Sequence, residues 1–263
     1  MGLTPSSAGL ADLPYRSSVT RRDTTPNAFR SVPDPTSHPV RTFEIAALRK
    51  DGTRHISQVK VPAIPLFEKA FSAFARGTLI QTSFGECAVE DLQPGDMINT
   101  TSGKPCKLLW IGSGTFVPAD AGYRTSLVRV MADTFGMGRP DSFLTLGPHA
   151  RILQTPPHLR GQIGAASLLS PISDFVDGVN VIEITPPTPV NLFHLVLERH
   201  ATIRAGGLEC ETFHPGGQAV REVSHSLRDL FLSMFPHISM VSDFGPLAHP
   251  RAPDPSSSSN SSL

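Results

Sequence analysis

The chain has 263 residues, and because 39% of them are hydrophobic it is long enough to bury a sizeable core. Its 23 basic and 23 acidic residues cancel, and no run of Lys and Arg interleaved with aromatic residues is present, which excludes the usual pattern of a nucleic-acid-binding surface. No apolar run approaches the roughly 18–20 residues that a spanning helix needs, so the sequence predicts a protein without a membrane span.

The three cysteines, Cys87, Cys106 and Cys210, are odd in number and widely spaced. They form neither a disulfide framework nor a Cys-x-x-Cys metal pair, which predicts a reducing, cytoplasmic location. His194 and His200 flank "LVLER", a spacing that belongs to neither a metalloprotease helix nor a zinc finger. We therefore expect no metal and no cofactor.

The first 40 residues are rich in Ser, Thr, Pro and Arg and contain few large apolar side chains. This composition predicts a disordered segment over residues 1–40. Between residues 41 and 62, apolar residues alternate on either side of Asp51-Gly52, which is a strong turn dipeptide. Residues 41–62 are therefore predicted to form a β-hairpin.

Short runs rich in Val, Ile and Leu follow from Phe74 to Phe213, broken by "FGE", "QPGD", "TSGKP" and "GSG". Such punctuation is typical of many short strands and few helices. Proline-rich stretches at 155–157 and 185–189 prevent regular helix locally and supply rigid turns. We therefore predict an all-β body over residues 63–215.

One helix is predicted late in the chain, over residues 221–235. Its apolar residues recur at three- and four-residue spacing and form one face: Val223, Leu227, Leu230, Phe231 and Met234. We interpret residues 216–249 as a helical extension that packs on the β body and has no membrane or cofactor role. The Ser-rich residues 250–263 are low in complexity and are predicted to be disordered.

The first strands of the body carry a pattern found in a known family, made up of Phe74, Gly77-Thr78, Ile80, Thr82, Gly85, Val89-Glu90-Asp91-Leu92, Pro94-Gly95-Asp96 and Ile98. At this spacing the pattern resembles the opening block of the hedgehog/intein, or Hint, family. The resemblance extends through "WIGSGTFVP" and "LGPHARIL" to "FHLVLERHATIRAGGLECETFHP", and so covers about Phe71 to Pro215. The chain is most similar to the stand-alone bacterial branch of the family. This resemblance implies a compact horseshoe of short strands.

The residue before Phe74 decides what chemistry the resemblance implies. In the Hint family this residue is a cysteine, whose thiol attacks the preceding carbonyl and converts an amide into a thioester. This chain has Ala73 at that position. Because a methyl group has no lone pair, the nucleophile of the family reaction is expected to be absent.

Two nearby residues are weaker candidates for the nucleophile. Ser72 has the nearest hydroxyl and could in principle form the analogous ester. It is one residue out of register, which in an extended strand would aim its oxygen away from the site. Cys87 lies in the following hairpin, and we interpret it as a small buried apolar residue.

The second functional position in the family is a histidine, normally three residues after a Thr or Ser, that protonates the leaving amide nitrogen. His149 in "LTLGPHARIL" supplies the histidine. Leu146 stands three residues before it, however, and Thr145 four residues before it. We therefore interpret His149 as a structural group, with a residual catalytic role as the alternative.

The downstream end of the body also departs from the family pattern. An intein ends in a small residue, Gly, an apolar residue, any residue, an apolar residue, His and Asn. At the last two positions this chain has Glu211 in place of the His and Thr212 in place of the cyclising Asn. Thr has no side-chain amide with which to form a succinimide, and Phe213 follows where splicing requires Cys, Ser or Thr. The resemblance therefore implies that splicing is lost.

These departures favour a degenerate Hint module, unable to splice or self-cleave, that acts as a scaffold or binds an unidentified protein partner. One alternative is an active autoprocessing protein that uses an unorthodox nucleophile such as Ser72. Another alternative is a small-molecule binding protein or hydrolase that uses the former cleavage cleft around His149.

Overall fold

A computed structural model of the chain describes residues 39–117, 126–163, 167–216, 220–221 and 223–253. The N-terminal segment predicted to be disordered lies outside these residues up to position 38, as do residues 254–263 of the predicted tail. No helix in the described part of the chain is long and apolar enough to cross a membrane.

The regular secondary structure of the described residues is mainly short antiparallel strands, as the sequence predicts. The strands are β1 (Val40–Leu48), β2 (Arg54–Pro62), β3 (Phe74–Ala75), β4 (Leu79–Thr82), β5 (Gly85–Ala88), β6 (Met97–Ile98), β7 (Cys106–Phe116), β8 (Leu127–Val130), β9 (Leu144–Leu146), β10 (Arg151–Leu153), β11 (Leu169–Pro171), β12 (Val181–Ile184), β13 (Val190–Leu197), β14 (Thr202–Ala205) and β15 (Leu208–Glu211). The α-helices are α1 (Pro65–Glu68), α2 (Arg160–Ile163) and α3 (His225–Ser233). Short 3-10 turns lie at Val89–Asp91, Pro157–Leu159, Ile172–Phe175 and Val241–Phe244. The all-β class is therefore confirmed, together with the N-terminal hairpin and the C-terminal amphipathic helix.

The long strand β7 joins the hairpin to the body. It pairs along nearly all of its length with β13, and its first residues pair with β6, where Cys106 lies opposite Ile98. The hairpin is formed by β1 and β2, and β1 also pairs with β7, so that Ala47 lies opposite Trp110. Because β1 shares a ladder with β7, the hairpin is part of the main sheet.

The "GSG" motif lies inside β7, where the sequence predicted a break between strands. A Cβ atom at Gly112 would lie 2.1 Å from the Trp110 ring and 2.6 Å from the Phe71 ring. A Cβ atom at Gly114 would lie 2.4 Å from the Phe43 ring. The predicted break was wrong, because these glycines leave room for aromatic rings against a continuous strand.

Two large hydrophobic cores form on the sheet, beside a small cluster of Ala75, Phe116, Leu127 and Leu192. The body core is mainly aliphatic and includes Ile80, Ile98, Leu108, Leu146, Leu195 and Ile203, all essentially inaccessible to solvent. The second cluster, which we call the aromatic core, contains Phe43, Phe67, Phe71, Trp110, Phe213, Phe231, Phe235 and Phe244. Its members come from the hairpin, from α1 and the turn after it, from β7 and from the segment after β15. The aromatic core therefore joins both flanks of the predicted body.

The helix α3 is shorter than the predicted helix 221–235. The Ser224 hydroxyl accepts a hydrogen bond from the backbone N–H of Leu227 and caps the helix, which therefore begins at His225. Phe231 is fully buried, and its ring centroid lies 6.2 Å from that of Phe67 in α1. The indole N–H of Trp110 donates to the Met234 carbonyl at 2.7 Å, which fixes the end of the helix on β7.

The first residues of the predicted disordered tail are bound to the sheet. The Leu169 N–H donates to the Pro250 carbonyl at 2.9 Å, and the Ala252 N–H donates to the Leu169 carbonyl at 3.0 Å. The prediction of disorder from residue 250 was therefore wrong for residues 250–252. Composition could not reveal this contact, because it depends on a partner strand about 80 residues away along the chain.

Candidate functional site

The backbone around Ala73 is held between two parts of the sheet. Its N–H donates to the Phe193 carbonyl on β13 at 3.0 Å, and its carbonyl accepts from the Gly147 N–H at 2.7 Å. The Ala73 side chain is completely buried, so the position offers a methyl group and no reactive atom.

The carbonyl of Ser72, which a nucleophile at position 73 would attack, is closely surrounded. It accepts a hydrogen bond from the backbone N–H of His149 at 3.2 Å. A Cβ atom at Gly147 would lie only 2.2 Å from this carbonyl oxygen, so only glycine allows the approach. A backbone donor at a carbonyl stabilises negative charge that develops on its oxygen. The Ser72 carbonyl is thus held by one backbone donor, that of His149.

The side chains of Ser72 and His149 contact each other beside this link. The Ser72 hydroxyl oxygen lies 2.7 Å from Nδ1 of His149 and 2.6 Å from the Glu68 carbonyl oxygen. A hydroxyl has one proton, so it can donate to only one of these acceptors at a time. When it donates to the Glu68 carbonyl, His149 must carry its proton on Nδ1 and donate to Ser72.

Burial, together with the positive charges of Lys69 and Arg151, lowers the pKa of His149 to about 4. The imidazole is therefore neutral near pH 7 and can exchange a proton with Ser72.

The expected orientation of Ser72 was wrong. The sequence argument assumed an extended strand, in which the Ser72 oxygen would point away from the site. Ser72 instead follows α1 and the turn after it, and β3 begins only at Phe74. Strand alternation does not apply there, and the turn directs the hydroxyl toward His149.

Two other candidates do not join this site. Thr145 lies on β9 opposite Arg129, and no hydrogen bond joins it to His149 in the described part of the chain. Cys87 is half-buried rather than buried, and its thiol lies 3.5 Å from the Ala88 carbonyl oxygen. Burial and the neighbouring carboxylates of Asp91, Asp96 and Glu90 raise the pKa of this thiol, which keeps it protonated.

Glu211, at the downstream end of the body, is the centre of a buried network. One of its carboxylate oxygens lies 3.1 Å from Nε2 of His200 and accepts from Nε of Arg251 at 2.9 Å. Nδ1 of His200 accepts from the Ala248 N–H, so its proton is on Nε2 and is donated to Glu211. Burial alone would raise the pKa of the Glu211 carboxyl, but the His200 hydrogen bond and the Arg251 charge outweigh it and hold this pKa below its ordinary value. Glu211 is therefore a charged group paired with His200 and Arg251.

Thr212 is equally constrained. Its hydroxyl donates to the Ala201 carbonyl at 2.9 Å and accepts from the Ala201 N–H at 3.1 Å. The side chain is completely buried. The hydroxyl donates one hydrogen bond and accepts another, both with the Ala201 backbone, so it is not directed at a neighbouring peptide bond.

Two neighbouring cavities lie beside the two ends of the body. This polar cavity has a volume of about 230 Å³ and is lined by Lys69, His149, Arg151, Asp174, His194, Glu211, His214 and Arg251, among others. A second space, the apolar cleft, has a volume of about 170 Å³ and is lined by Phe43, Phe71, Ser72, Phe116, His149 and Leu192, among others. His149 lines both spaces, so it separates the Ser72 side of the site from the Glu211 side.

Sequence reasoning missed His194 and Arg251 as residues of this site. His194 lies on β13, where nearly every residue is buried, so alternation gives no sign of which side chains face a cavity. Arg251 lies in a proline- and serine-rich stretch that is typical of a disordered tail. A signal for His194 was available only in the apolar surroundings of a histidine within "NLFHLVL".

Comparison with known proteins identifies the class. The Hint domain family matches residues 72–217, more than half of the chain, and the chain therefore belongs to the Hint domain family. A search of curated proteins gave no match.

Similar solved structures are inteins and an intein-like domain. The MchDnaB-1 intein is 15% identical, with 54% of this chain and 100% of that chain covered and a TM-score of 0.33. The bacterial intein-like domain from Clostridium thermocellum is 14% identical, with 54% and 99% covered and a TM-score of 0.35. The DnaB intein from Synechocystis sp. PCC 6803 is 13% identical, with 54% and 99% covered and a TM-score of 0.32.

Proposed function

We propose that this protein is a degenerate Hint domain of the stand-alone bacterial type, which neither splices nor cleaves itself and serves as a scaffold or interaction module. The observation that carries the proposal is the methyl group of Ala73, completely buried at the position where the family places its nucleophile. Formation of a thioester requires a thiolate there, and a methyl group cannot replace it.

The downstream end supports the same conclusion. Glu211 and Thr212 stand where the resemblance places the terminal His and Asn, and both side chains are committed to buried hydrogen bonds. A charged carboxylate that is saturated by His200 and Arg251 cannot donate the proton that a histidine would. Release of a downstream segment therefore has neither an acid nor a cyclising amide.

Integration of both flanks favours a scaffold role. The rings of Phe213 and Phe235 stack with centroids 5.7 Å apart. Phe67 in α1, upstream of the Ser72–Ala73 link, packs on Phe231 in α3, downstream of the body. Each flank thus supplies part of a core that the other flank needs. A cleavage product would remain bound, so the protein has no detachable passenger segment among its described residues.

The experiment is a measurement of the intact mass of the purified chain under denaturing conditions, over time, with and without thiol and hydroxylamine. We expect one species at the mass of all 263 residues. A growing fragment that begins at Ser72 or Ala73, and forms faster with thiol or hydroxylamine, would contradict the proposal.

A second candidate function is supported by the contact between Ser72 and His149. The hydroxyl and a neutral imidazole lie 2.7 Å apart at the wall of the apolar cleft. The candidate function is that of an ester hydrolase. The Ser72 oxygen would attack the carbonyl carbon of an apolar ester, and its proton would pass to His149 and then to the leaving alcohol. Water would release the acid from the acyl-serine in the second step. The same pair is the basis of the alternative in which Ser72 attacks the chain itself.

A fluorophosphonate probe separates this candidate from the scaffold. Labelling of the wild-type chain that disappears in Ser72→Ala would support a reactive serine. Ser83→Ala, which changes another serine hydroxyl on the body, is the matched control and should label like the wild type. Equal labelling of all three chains, or none, would exclude the hydrolase.

A further inference from the structure

The polar cavity is lined by one buried histidine whose ring donor has no hydrogen-bond partner among the described residues. Nδ1 of His194 accepts from the Leu195 N–H at 3.1 Å, so the ring proton is on Nε2. His194 is only 4% exposed and its ring lines the cavity, yet no described group accepts from Nε2. Nε2–H is therefore a donor from a buried side chain that is free to bond an acceptor entering the cavity, either water or a ligand.

The charges around the cavity favour an acceptor that is an anion. Its lining includes the cations Lys69, Arg151 and Arg251 and the carboxylates Asp174 and Glu211, which leaves one net positive charge. Burial lowers the pKa of His194 to about 3, so the ring is a neutral donor near pH 7 and adds no charge.

We propose that the polar cavity binds a small molecule through a single oxyanion group, either a carboxylate or a phosphate. Nε2–H of His194 would donate to the oxyanion, and the net positive charge of the cavity lining would balance the charge of the oxyanion. The cavity is smaller than the roughly 300–1,000 Å³ of a site for drug-sized ligands, so the ligand is small. The inference does not depend on whether the Ser72–Ala73 link is cleaved.

A metal ion fits the cavity less well than an oxyanion. A nitrogen that carries a proton cannot coordinate a cation, and Nδ1 of His194 is already used. Within the described part of the chain, no group of three or more His, Cys, Asp and Glu side chains could hold a metal ion.

The test is a titration of the full chain with sodium phosphate and, separately, with sodium acetate, followed by NMR of the histidine ring protons. Sodium chloride keeps the ionic strength constant. We expect at least one of the two anions to shift the His194 and His149 ring signals with a saturable curve. The anion that saturates identifies the source of the oxyanion. Shifts that are linear in concentration, or equal to those with chloride alone, would overturn the proposal.

Two variants test the location. Lys69→Gln removes a cation from the cavity and should weaken binding by about tenfold or more. Lys107→Gln, at an exposed position of β7 away from the cavity, is the matched control and should bind like the wild type. Equal affinities of Lys69→Gln and Lys107→Gln would place the anion elsewhere and overturn the proposal.

His194→Phe tests the donor itself. This variant keeps a ring in the buried position and removes the N–H, so saturable binding should be lost. If the variant does not fold, the Lys69→Gln comparison still decides the location. The intact-mass experiment remains independent, because anion binding leaves the mass of the polypeptide unchanged.

Discussion

The two ends of the Hint body are held by different kinds of contact. At the Ser72–Ala73 link the backbone is held by Phe193, Gly147 and His149, and the Ala73 side chain is a buried methyl group. At the Glu211–Thr212 link the side chains themselves have become parts of buried networks. If the proposed assignment is correct, the upstream end lacks only a nucleophile, whereas the downstream end has a structural role.

This difference teaches where stability and chemistry reside. Changes at the downstream end should cost folding free energy, because a buried charge network depends on each partner. Changes at the upstream side chain should cost little and should alter chemistry instead. The predictions below order these effects from the largest to the smallest.

Removal of all residues after Pro215 should have the largest effect. The truncation deletes Phe231, Phe235 and Phe244 from the aromatic core and Arg251 from Glu211. We expect loss of cooperative thermal unfolding and binding of a hydrophobic dye. Leu230→Asp, which places a charge on the half-buried face of α3, should lower the melting temperature in the same direction.

The matched control for the truncation is a chain that ends after Pro253. It keeps α3 and Arg251 and should melt like the wild type. If the chain that ends after Pro215 also melted like the wild type without binding dye, α3 would be an independent segment for partner binding.

Glu211→Ala should be the most damaging point substitution at the two links. It leaves the guanidinium of Arg251 without its carboxylate in a buried place, which typically costs about 3–5 kcal/mol of unfolding free energy. Glu183→Ala, at an exposed position of β12, is the control and should change stability by less than about 0.5 kcal/mol. Urea denaturation measures both, and similar losses in the two variants would show that Glu211 has no special structural role.

The sequence predicted the fold better than the site, and the reason is physical. Alternation around Asp51-Gly52 predicted the hairpin, and the apolar spacing around Phe231 predicted the helix, because both patterns are local. The Ser72–His149 contact joins residues 77 positions apart and depends on a turn after α1. Arg251 reaches Glu211 only through a pairing with β11 that no local pattern indicates.

Gly147→Ala should damage the upstream link through its backbone. The new Cβ would lie 2.2 Å from the Ser72 carbonyl oxygen, so the link must move, at a cost of about 1–3 kcal/mol. Gly161→Ala in α2 is the control, because a Cβ there meets nothing within 4 Å and alanine favours helix. A stabilised control beside a destabilised Gly147→Ala is the expected result of urea denaturation. Equal stability of Gly147→Ala and the wild type would mean that the link is not tightly held.

Stability should fall as the pH decreases below about 6.5, and His149 should contribute to that loss. Burial lowers the pKa of His149 to about 4 in the folded chain, whereas the ordinary value is 6.5. Between these values the unfolded chain binds a proton on His149 that the folded chain does not. The free energy of unfolding is therefore undiminished above pH 6.5 and decreases as the pH falls toward 4. By about pH 5, His149 alone should account for about 1–2 kcal/mol. Denaturation of wild type and His149→Asn across this range should give a shallower pH dependence for the variant; identical slopes would contradict the assignment.

Ala73→Cys should have a small effect on stability and a qualitative effect on chemistry. The new thiol at position 73 would attack the Ser72 carbonyl carbon and form a thioester, the carbon–nitrogen bond of the link would break, and the thiol proton would pass to the amine of residue 73. Water or hydroxylamine would then displace the thiolate and separate the two parts of the chain. The backbone N–H of His149 already donates to this carbonyl, which favours the reaction. The residue 73 N–H is held by the Phe193 carbonyl, however, and must leave it before the amine departs. We therefore expect partial, slow cleavage that hydroxylamine increases.

The controls for Ala73→Cys separate the two links. Cleavage should disappear in Ala73→Cys/His149→Ala if the imidazole assists the departing amine, and Thr212→Asn should release nothing, because Glu211 still occupies the position of the acid. Mass must be measured under denaturing conditions, since the aromatic core would hold the two fragments together in the folded state. An inert Ala73→Cys chain would mean that the upstream geometry, like the downstream one, no longer supports the reaction, and the contrast between the two links would be lost.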